Sequence, residues 1–559
     1  MIECSGLSLS LDTGIPHAES CMKEEIARAL QIEPASIVRF ELARRSIDAR
    51  KKSNVHFSVS VRIEVDAASE ARLLAAPPRG ITVRHEKPVV PLDIPACKQP
   101  DHPIVVVGAG PAGLFAALYL ARCGLCPVLI ERGSDVDRRH RDVAAFLASG
   151  ELDPSSNIQF GEGGAGTFSD GKLTTNTKNP FTAHVLRWFV DAGAPESILW
   201  QAHPHLGSDN LPSIVKAMRK SIVDAGGQVL FRTTLRNLSF ESGCLRAIEI
   251  ENADGERSML ETDQLVLACG HSARDVFELM YESGFAMEQK PFSMGVRIEH
   301  PQQVIDRAQW GPSASHPALS AAEYKLAVHL PDGRSVYTFC MCPGGEVVAA
   351  ASEEGGVVTN GMSNYARDGK NANAALLVNV DPSDFGGSHV LAGVELQRRV
   401  EQAAFRLALE RGGSPYQAPM QTVGSFLSEV ASSSAPSPSW GADVCSPTYG
   451  RGAVEAPLSR CLPTFVTRAL AEGVVAMGKR LKGFDDPRAI MTAPETRSSS
   501  PVRICRDGDL QAFFADPATD GRVPSGVYPC GEGPGFAGGI MSAAVDGLRV
   551  ASVLARLYA

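Results

Sequence analysis

One stretch narrows the possible folds more than any other: PIVVVGAGPAGLFAALYLARCGLCPVLIERG, from Pro103 to Gly133. The apolar strand Ile104–Val107 runs into Gly108-Ala109-Gly110-Pro111-Ala112-Gly113. A helix then extends to about Cys123, and a second apolar strand, Pro127–Ile130, ends at Glu131. A glycine signature set inside a complete βαβ unit predicts a parallel sheet with a dinucleotide on its first turn. Gly108 permits the tight turn, Gly110 lets a pyrophosphate approach the backbone, and Gly113 lets the helix pack on the strand. Pro111 and Ala112 open a helix whose free N–H groups and positive dipole end face the phosphates. Glu131, followed by Arg132, accepts from both ribose hydroxyls and disfavours a 2′-phosphate. The site is therefore expected to take FAD or NAD rather than NADP.

Two distant segments favour FAD. GVYPCGEGPGFAGGIMSAAVDGLRVASVLARLY, from Gly526, reads as a short strand, a glycine loop and a closing helix. Gly533 to Gly538 formally repeats GxGxxG, but with one helix after it no second βαβ unit is expected. A strand, then Gly531-Glu532, then a glycine loop capping a last helix is how flavoproteins of this class approach the flavin. Glu532 is expected near the ribityl or pyrophosphate side. The amides around Gly538, Gly539, Ile540 and Met541 are expected at the isoalloxazine carbonyl edge, where a helix N-terminus stabilises the reduced anion. DQLVLACGHSARD, from Asp263, is an apolar strand ending in a turn at Gly270, with Cys269 and His271 beside it.

The rest of the chain sets bounds. Its 559 residues allow two to four domains. A formal net charge of −9 argues against a nucleic-acid binder. No apolar run reaches the roughly 20 residues that span a bilayer, and the N-terminal stretch lacks the pattern of a secretion signal. The 13 scattered cysteines fit a reducing compartment, so a cytoplasmic location is expected. Residues 1 to 95 read as a small α+β module. Alternation predicts strands over Ser36–Asp48 and Asn54–Asp66, flanked by helices near Ala18–Leu30 and Ala68–Ala75. Its basic residues Arg44, Arg45, Arg50, Lys51 and Lys52 are read as a solvated hairpin tip in preference to a nucleic-acid patch. Pro88–Pro103 is a proline-rich linker, and Ala431–Ser439 a low-complexity loop.

Taken together, GEGGAGTFSDGKLTT (Gly161–Thr175), HPHLGSDNL (His203–Leu211), KPFSMGVRIEHPQ (Lys290–Gln302), TFCMCPGGEVVAAASEEGGVVTNGMS (Thr338–Ser363), PETRSSSPVRI (Pro494–Ile504) and the Gly531–Ala551 string resemble one bacterial family. It is that of the FAD-dependent dehydrogenase-like proteins, also described as NAD(P)/FAD-dependent oxidoreductases. The resemblance implies an FAD fold with an inserted second domain, a characteristic C-terminal domain and a redox reaction. It also places the Gly161–Lys172 loop where related flavoproteins bring glycine backbone to the flavin. Gly164, Gly166, Thr167 and Ser169 then become cofactor contacts, and Lys172 a partner for the flavin N1–C2=O edge or a substrate anion. Of Arg138, Arg139 and Arg141, Arg139 is assigned to the pyrophosphate.

Other candidates have two readings each. His203-Pro204-His205 offers acid/base or metal chemistry, with His205 preferred. Arg497, like Arg503, either clamps a substrate anion or forms an ion pair. Arg297 and Glu299 share a strand face, as an ion pair or an anion contact. Cys340-Met341-Cys342 places two thiols on one face of an extended segment, to pair, bind metal or merely pack. Cys123-Gly-Leu-Cys126 falls in a turn away from any flavin. No metal site is expected.

The expected fold is α/β: a discontinuous Rossmann-type FAD domain (101–285 and 490–559), an inserted α+β substrate domain (286–489) and the N-terminal module. The expected activity is an FAD-dependent oxidoreductase acting on a small molecule through Lys172, His205, His271 and Arg497, with NADH or NADPH as a transient donor. A flavin monooxygenase and a non-enzymatic flavin-binding or RNA-associated protein are the alternatives.

Overall fold

The computed structural model describes residues 1–15, 19–88, 90–430, 445–515 and 524–559. The expected loop at Ala431–Ser439, and Ala18 at the start of the first expected helix, lie outside them.

The N-terminal module is a four-stranded antiparallel sheet carrying two helices. Its elements are β1 (Ile2–Leu9), α1 (Glu19–Leu30), β2 (Ile37–Asp48), β3 (His56–Val65), α2 (Ala67–Ala75) and β4 (Thr82–His85), in the sheet order β2-β3-β1-β4. Alternation along β3 buries Phe57, Val59, Val61 and Ile63 against Ile26 and Leu30 of α1. β1 has no sequence expectation behind it: a bulge at Gly6, φ +89°, breaks its period of two.

The basic hairpin is not simply solvated. The Arg45 N–H donates to the Trp200 carbonyl at 2.7 Å, and the Arg45 carbonyl accepts from Ala202 N–H at 2.9 Å. The Arg45 guanidinium lies 4.5 Å from the Trp200 ring and 4.8 Å from Phe57. Lys52 donates to the Gln309 carbonyl. These two side chains fasten the module to the body of the protein, while Arg44, Arg50 and Lys51 are exposed as the solvated-tip reading expects.

After the proline-rich segment come β5 (Val105–Val107), α3 (Pro111–Arg122), β6 (Val128–Glu131), α4 (Val136–Ser149), β7 (Gln228–Phe231) and β8 (Leu265–Leu267). Short, wholly buried runs such as Val105–Val107 suit parallel strands covered on both faces. The chain then builds a seven-stranded mixed sheet. Its strands are β9 (Phe292–Pro301), β10 (Ala327–His329), β11 (Ser335–Cys342), β12 (Asn371–Val380), β13 (Ala418–Thr422), β14 (Ala453–Glu455) and β15 (Ile490–Glu495). Their order is β10-β11-β12-β9-β15-β13-β14. Helices α5 (Ala392–Glu410) and α6 (Thr464–Gly478) pack against it and share its apolar core. Because β15 hydrogen-bonds between β9 and β13, residues 490–495 belong to this sheet. The boundary expected at 489/490 therefore moves past Glu495.

The chain finally returns to the first sheet. β16 (Val527–Pro529) lies parallel beside β8 and completes the order β16-β8-β5-β6-β7, and α7 (Ile540–Arg556) packs along α3. The contact is close because Gly547 faces the Ala112 carbonyl: a Cβ there would lie 2.1 Å from its oxygen. Among the described residues no helix is long and apolar enough to cross a membrane.

Candidate functional site

A cavity of ≈ 1070 Å³ runs from the first turn of the parallel sheet to the seven-stranded sheet. Its phosphate end is built from backbone. Gly108 sits at φ +101°, and a Cβ there would lie 2.8 Å from the Ala268 carbonyl oxygen. Gly113 does not reach the cavity; a Cβ on it would lie 1.8 Å from the Gly108 oxygen, so it serves helix–strand packing. Gly110, the N-cap of α3, has no side-chain cap, and Pro111 follows it. The amide of Ala112, which lines the cavity, is thus left for a ligand. Glu131 lines the cavity and accepts from the backbone N–H groups of Ala109 (2.8 Å), Gly133 (2.9 Å) and Gly161 (3.0 Å). A carboxylate has about four acceptor positions, so it retains capacity for a ribose hydroxyl. Arg132 also lines the cavity, held bidentately by Asp275 at 2.9 Å.

The glycine loop is shaped from beneath by Arg139. This fully buried guanidinium donates to the carbonyls of Asn157 (2.9 Å), Glu162 (2.7 Å), Gly164 (2.9 Å) and Ile158 (3.0 Å). Burial lowers it to about 10. Gly161, φ +128°, is required because a Cβ there would lie 2.3 Å from Arg139 Cδ. Arg139 therefore holds the loop and does not reach the cavity, which corrects its assignment to the pyrophosphate. Thr167 likewise turns inward, its hydroxyl donating to the Glu162 carbonyl at 3.0 Å. Gly164, Ala165, Gly166 and Ser169 to Lys172 line the cavity.

Beside this turn α7 begins at Gly539, φ +115°, without a side-chain cap. Gly538, Gly539 and Ile540 line the cavity, whereas Met541 is buried in the core and Gly531 packs on Ala112 and donates its N–H to Asp546 at 3.0 Å. Those two residues are removed from the direct contacts. Glu532 faces the cavity, and burial, opposed by Lys290, raises it to about 7. His271 Nδ1 lies 3.5 Å from Glu532 Oε1, and its Nε2 is buried without a partner. Burial, helped by Arg497 and Arg274, pushes this imidazole down to about 3, so it is neutral at pH 7.

Arg497 lines the cavity, but its guanidinium is engaged by Glu401 (3.0 and 2.8 Å) and by Ser352. Glu401 is shared with Arg274. Of its two expected roles, the ion pair is the one observed. Arg297 likewise forms a buried bidentate pair with Glu495, at 2.7 and 3.1 Å.

The roof comes from the inserted sheet and its loops, and the sequence did not single out its central residue, Glu323. Lys172 donates to the Met341 carbonyl and lies 3.6 Å from Glu323. His203 and Arg367 approach Glu323 at 3.0 and 2.8 Å. Burial opposes this charge, but the hydrogen bond from His203 and the charges of Lys172 and Arg367 outweigh it and hold the carboxyl well below its usual range. His203 lines the cavity; His205 does not. His205 stacks on Tyr365 and bonds its carbonyl at 3.0 Å, which corrects its catalytic assignment.

The comparisons with known proteins now bear on this geometry. The family model "FAD-dependent protein, C-terminal domain-like" matches residues 291–498, and a domain of unknown function matches residues 1–64. An uncharacterised protein of Clostridium beijerinckii is 42% identical over 558 residues, covering 98% of both chains. The chain belongs to the FAD-dependent protein family. Looser likenesses link this FAD-dependent protein to solved structures. The myxobacterial chondrochloren halogenase is 12% identical, with 82% and 73% of the two chains covered and a TM-score of 0.32. A geranylgeranyl bacteriochlorophyll reductase-like protein of Thermoplasma acidophilum is 11% identical, with 82% and 79% covered and a TM-score of 0.34. The cavity of the FAD-dependent protein fits the cofactor on its own residues. A Cβ built on Gly270, Gly538 or Gly539, all cavity-lining, would meet no atom within 4 Å, so these glycines leave a cradle that side chains would fill.

Proposed function

We propose that this flavoprotein is an oxidoreductase that takes a small-molecule substrate under the roof formed by the inserted sheet, with NADH or NADPH as a transient donor. The observation that carries the reading is one continuous cavity lined by two uncapped helix N-termini, those of α3 and α7. FAD bound there supplies hydride transfer at N5. The amide of Ala112 would hold the pyrophosphate, and Glu131 would favour a free ribose over a 2′-phosphate. The first turn of α7, which lines the cavity, would hold the isoalloxazine, its dipole favouring negative charge there. Glu532, titrating near 7 beside a neutral His271, holds or releases a proton at the cavity wall. Lys172 and His203, paired with Glu323, orient a polar substrate at the roof. Docking of the N-terminal module engages Arg45 and Lys52, two of the five basic residues on which the RNA-associated alternative draws.

The test is the visible spectrum of the FAD-loaded protein, kept anaerobic, before and after NADH or NADPH. A bound-flavin spectrum that bleaches within seconds is expected. Failure to retain FAD would sink the cofactor reading; a flavin that stays oxidised would remove nicotinamide as the donor.

A further inference from the structure

Two cysteines that the proposed function leaves idle stand in the cavity roof, at the end of β11. Phe339 lies opposite Ala375 of β12 but Cys342 lies opposite Asn373, so one extra residue is bulged out between them. Cys340 occupies the bulge at φ +41°, a left-handed conformation that few non-glycine residues adopt. The bulge, and not the simple alternation of an extended strand, sets where the thiols point. It turns Cys340 to the cavity wall, while Cys342 is fully buried behind it. The Cys342 thiol donates to the Cys340 carbonyl at 3.3 Å, so the two side chains share one turn of the bulge. Cations bracket them: Arg297 Nη1 donates to the Cys340 carbonyl at 2.9 Å, and Lys172 donates to that of Met341. The neighbouring Cys342 thiol, opposed by burial and aided by Arg297 and Lys172, holds the Cys340 thiol below its ordinary value, and Cys342 is pushed above. Cys340 also acts electrostatically on Glu532, which faces the same cavity. No His, Cys, Asp or Glu completes a set of three metal ligands with them among the described residues.

We propose that Cys340 and Cys342 form a redox-active dithiol that exchanges two electrons with the flavin of this cavity, an inference that rests on the FAD reading. In the forward direction two S–H bonds break and one S–S bond forms. Two electrons and one proton reduce the isoalloxazine, and the second proton leaves through Glu532 or water. The reverse reaction reopens the disulfide at the expense of reduced flavin. Cys340, more readily ionised and at the cavity wall, is the exchanging thiol; Cys342 is its resolving partner.

The tryptic peptide Ser335–Arg367 contains these two cysteines and no other. The full-length protein loaded with FAD is oxidised anaerobically with diamide, alkylated and digested. The peptide is expected two hydrogens lighter and unalkylated. Reductive titration of the oxidised protein should then consume about four electrons per flavin, against about two in Cys340→Ser and Cys342→Ser. A fully alkylated peptide would overturn the proposal, as would a closed peptide with two-electron titration in the unsubstituted protein. A chain that retains no FAD would overturn the cofactor reading and the electron exchange together, and the peptide mass would still decide whether the thiols close.

Discussion

Replacing Gly110 by valine separates the fold from the cofactor site. Gly110 sits at φ −75°, so a side chain brings no backbone strain, and its Cβ would meet only the Gly164 Cα, at 4.0 Å. The apoprotein should lose no more than about 1 kcal/mol, the difference between glycine and a β-branched residue at an N-cap. The ligand loses more, because the added atoms fill cavity space beside the Ala112 amide. One charge-assisted hydrogen bond at about 1.5–3 kcal/mol corresponds to roughly ten-fold to a hundred-fold weaker FAD binding. Equilibrium titration followed by flavin fluorescence, alongside denaturant unfolding of the apoprotein, measures both. Gly113→Ala is the contrasting variant: its Cβ would lie 1.8 Å from a carbonyl oxygen, so the apoprotein itself should be destabilised by about 1–3 kcal/mol. Full FAD occupancy in Gly110→Val, or a collapse of its apo stability, would refute the assignment of this turn to the pyrophosphate.

Other outcomes follow from the same structure. Arg139→Met should lower stability by at least about 3 kcal/mol, since four carbonyls lose a buried donor; an unchanged denaturation midpoint would show that the loop does not depend on it. Glu532, with a folded value of about 7 against 4.5, keeps its proton in the folded state across that window while the unfolded chain has lost it. Its contribution therefore declines as pH rises from 4.5 to about 7, by up to about 3 kcal/mol, and Glu532→Gln should flatten that slope in apoprotein melts. Arg45→Ala should weaken the docking of the N-terminal module by about 1–2 kcal/mol. Faster proteolysis within Pro88–Pro103 would report it, and an unchanged cleavage rate would count against the docking role.

The cofactor end was legible because backbone geometry leaves few substitutes. Gly108 and Gly113 each face a carbonyl too closely for any side chain, and such positions write glycine into the sequence. The roof was not legible, because its strands pair out of chain order and Glu323 gathers Lys172, His203 and Arg367 from separate segments. Nothing near Glu323 in the sequence marks it. His203 and His205 carry the same chemistry, and only the packing of Tyr365 on one of them tells them apart. Arg139 stands among three similar arginines on α4, and burial alone distinguishes it. Cys340 was visible as a motif, but its direction depends on a bulge that no local pattern announced.

The parallel sheet closes only when β16 reaches β8, after the whole seven-stranded unit has intervened. During synthesis on the ribosome, α3 and its glycine turn therefore emerge long before α7 arrives to cover them. Until then the apolar face of α3 is open, and the cavity lacks the wall from Glu532 to Ala543. Cofactor loading is thus confined to the completed chain. An interrupted product would carry the nucleotide signature without a cradle, and its uncovered helix face would be a target for chaperones and proteases.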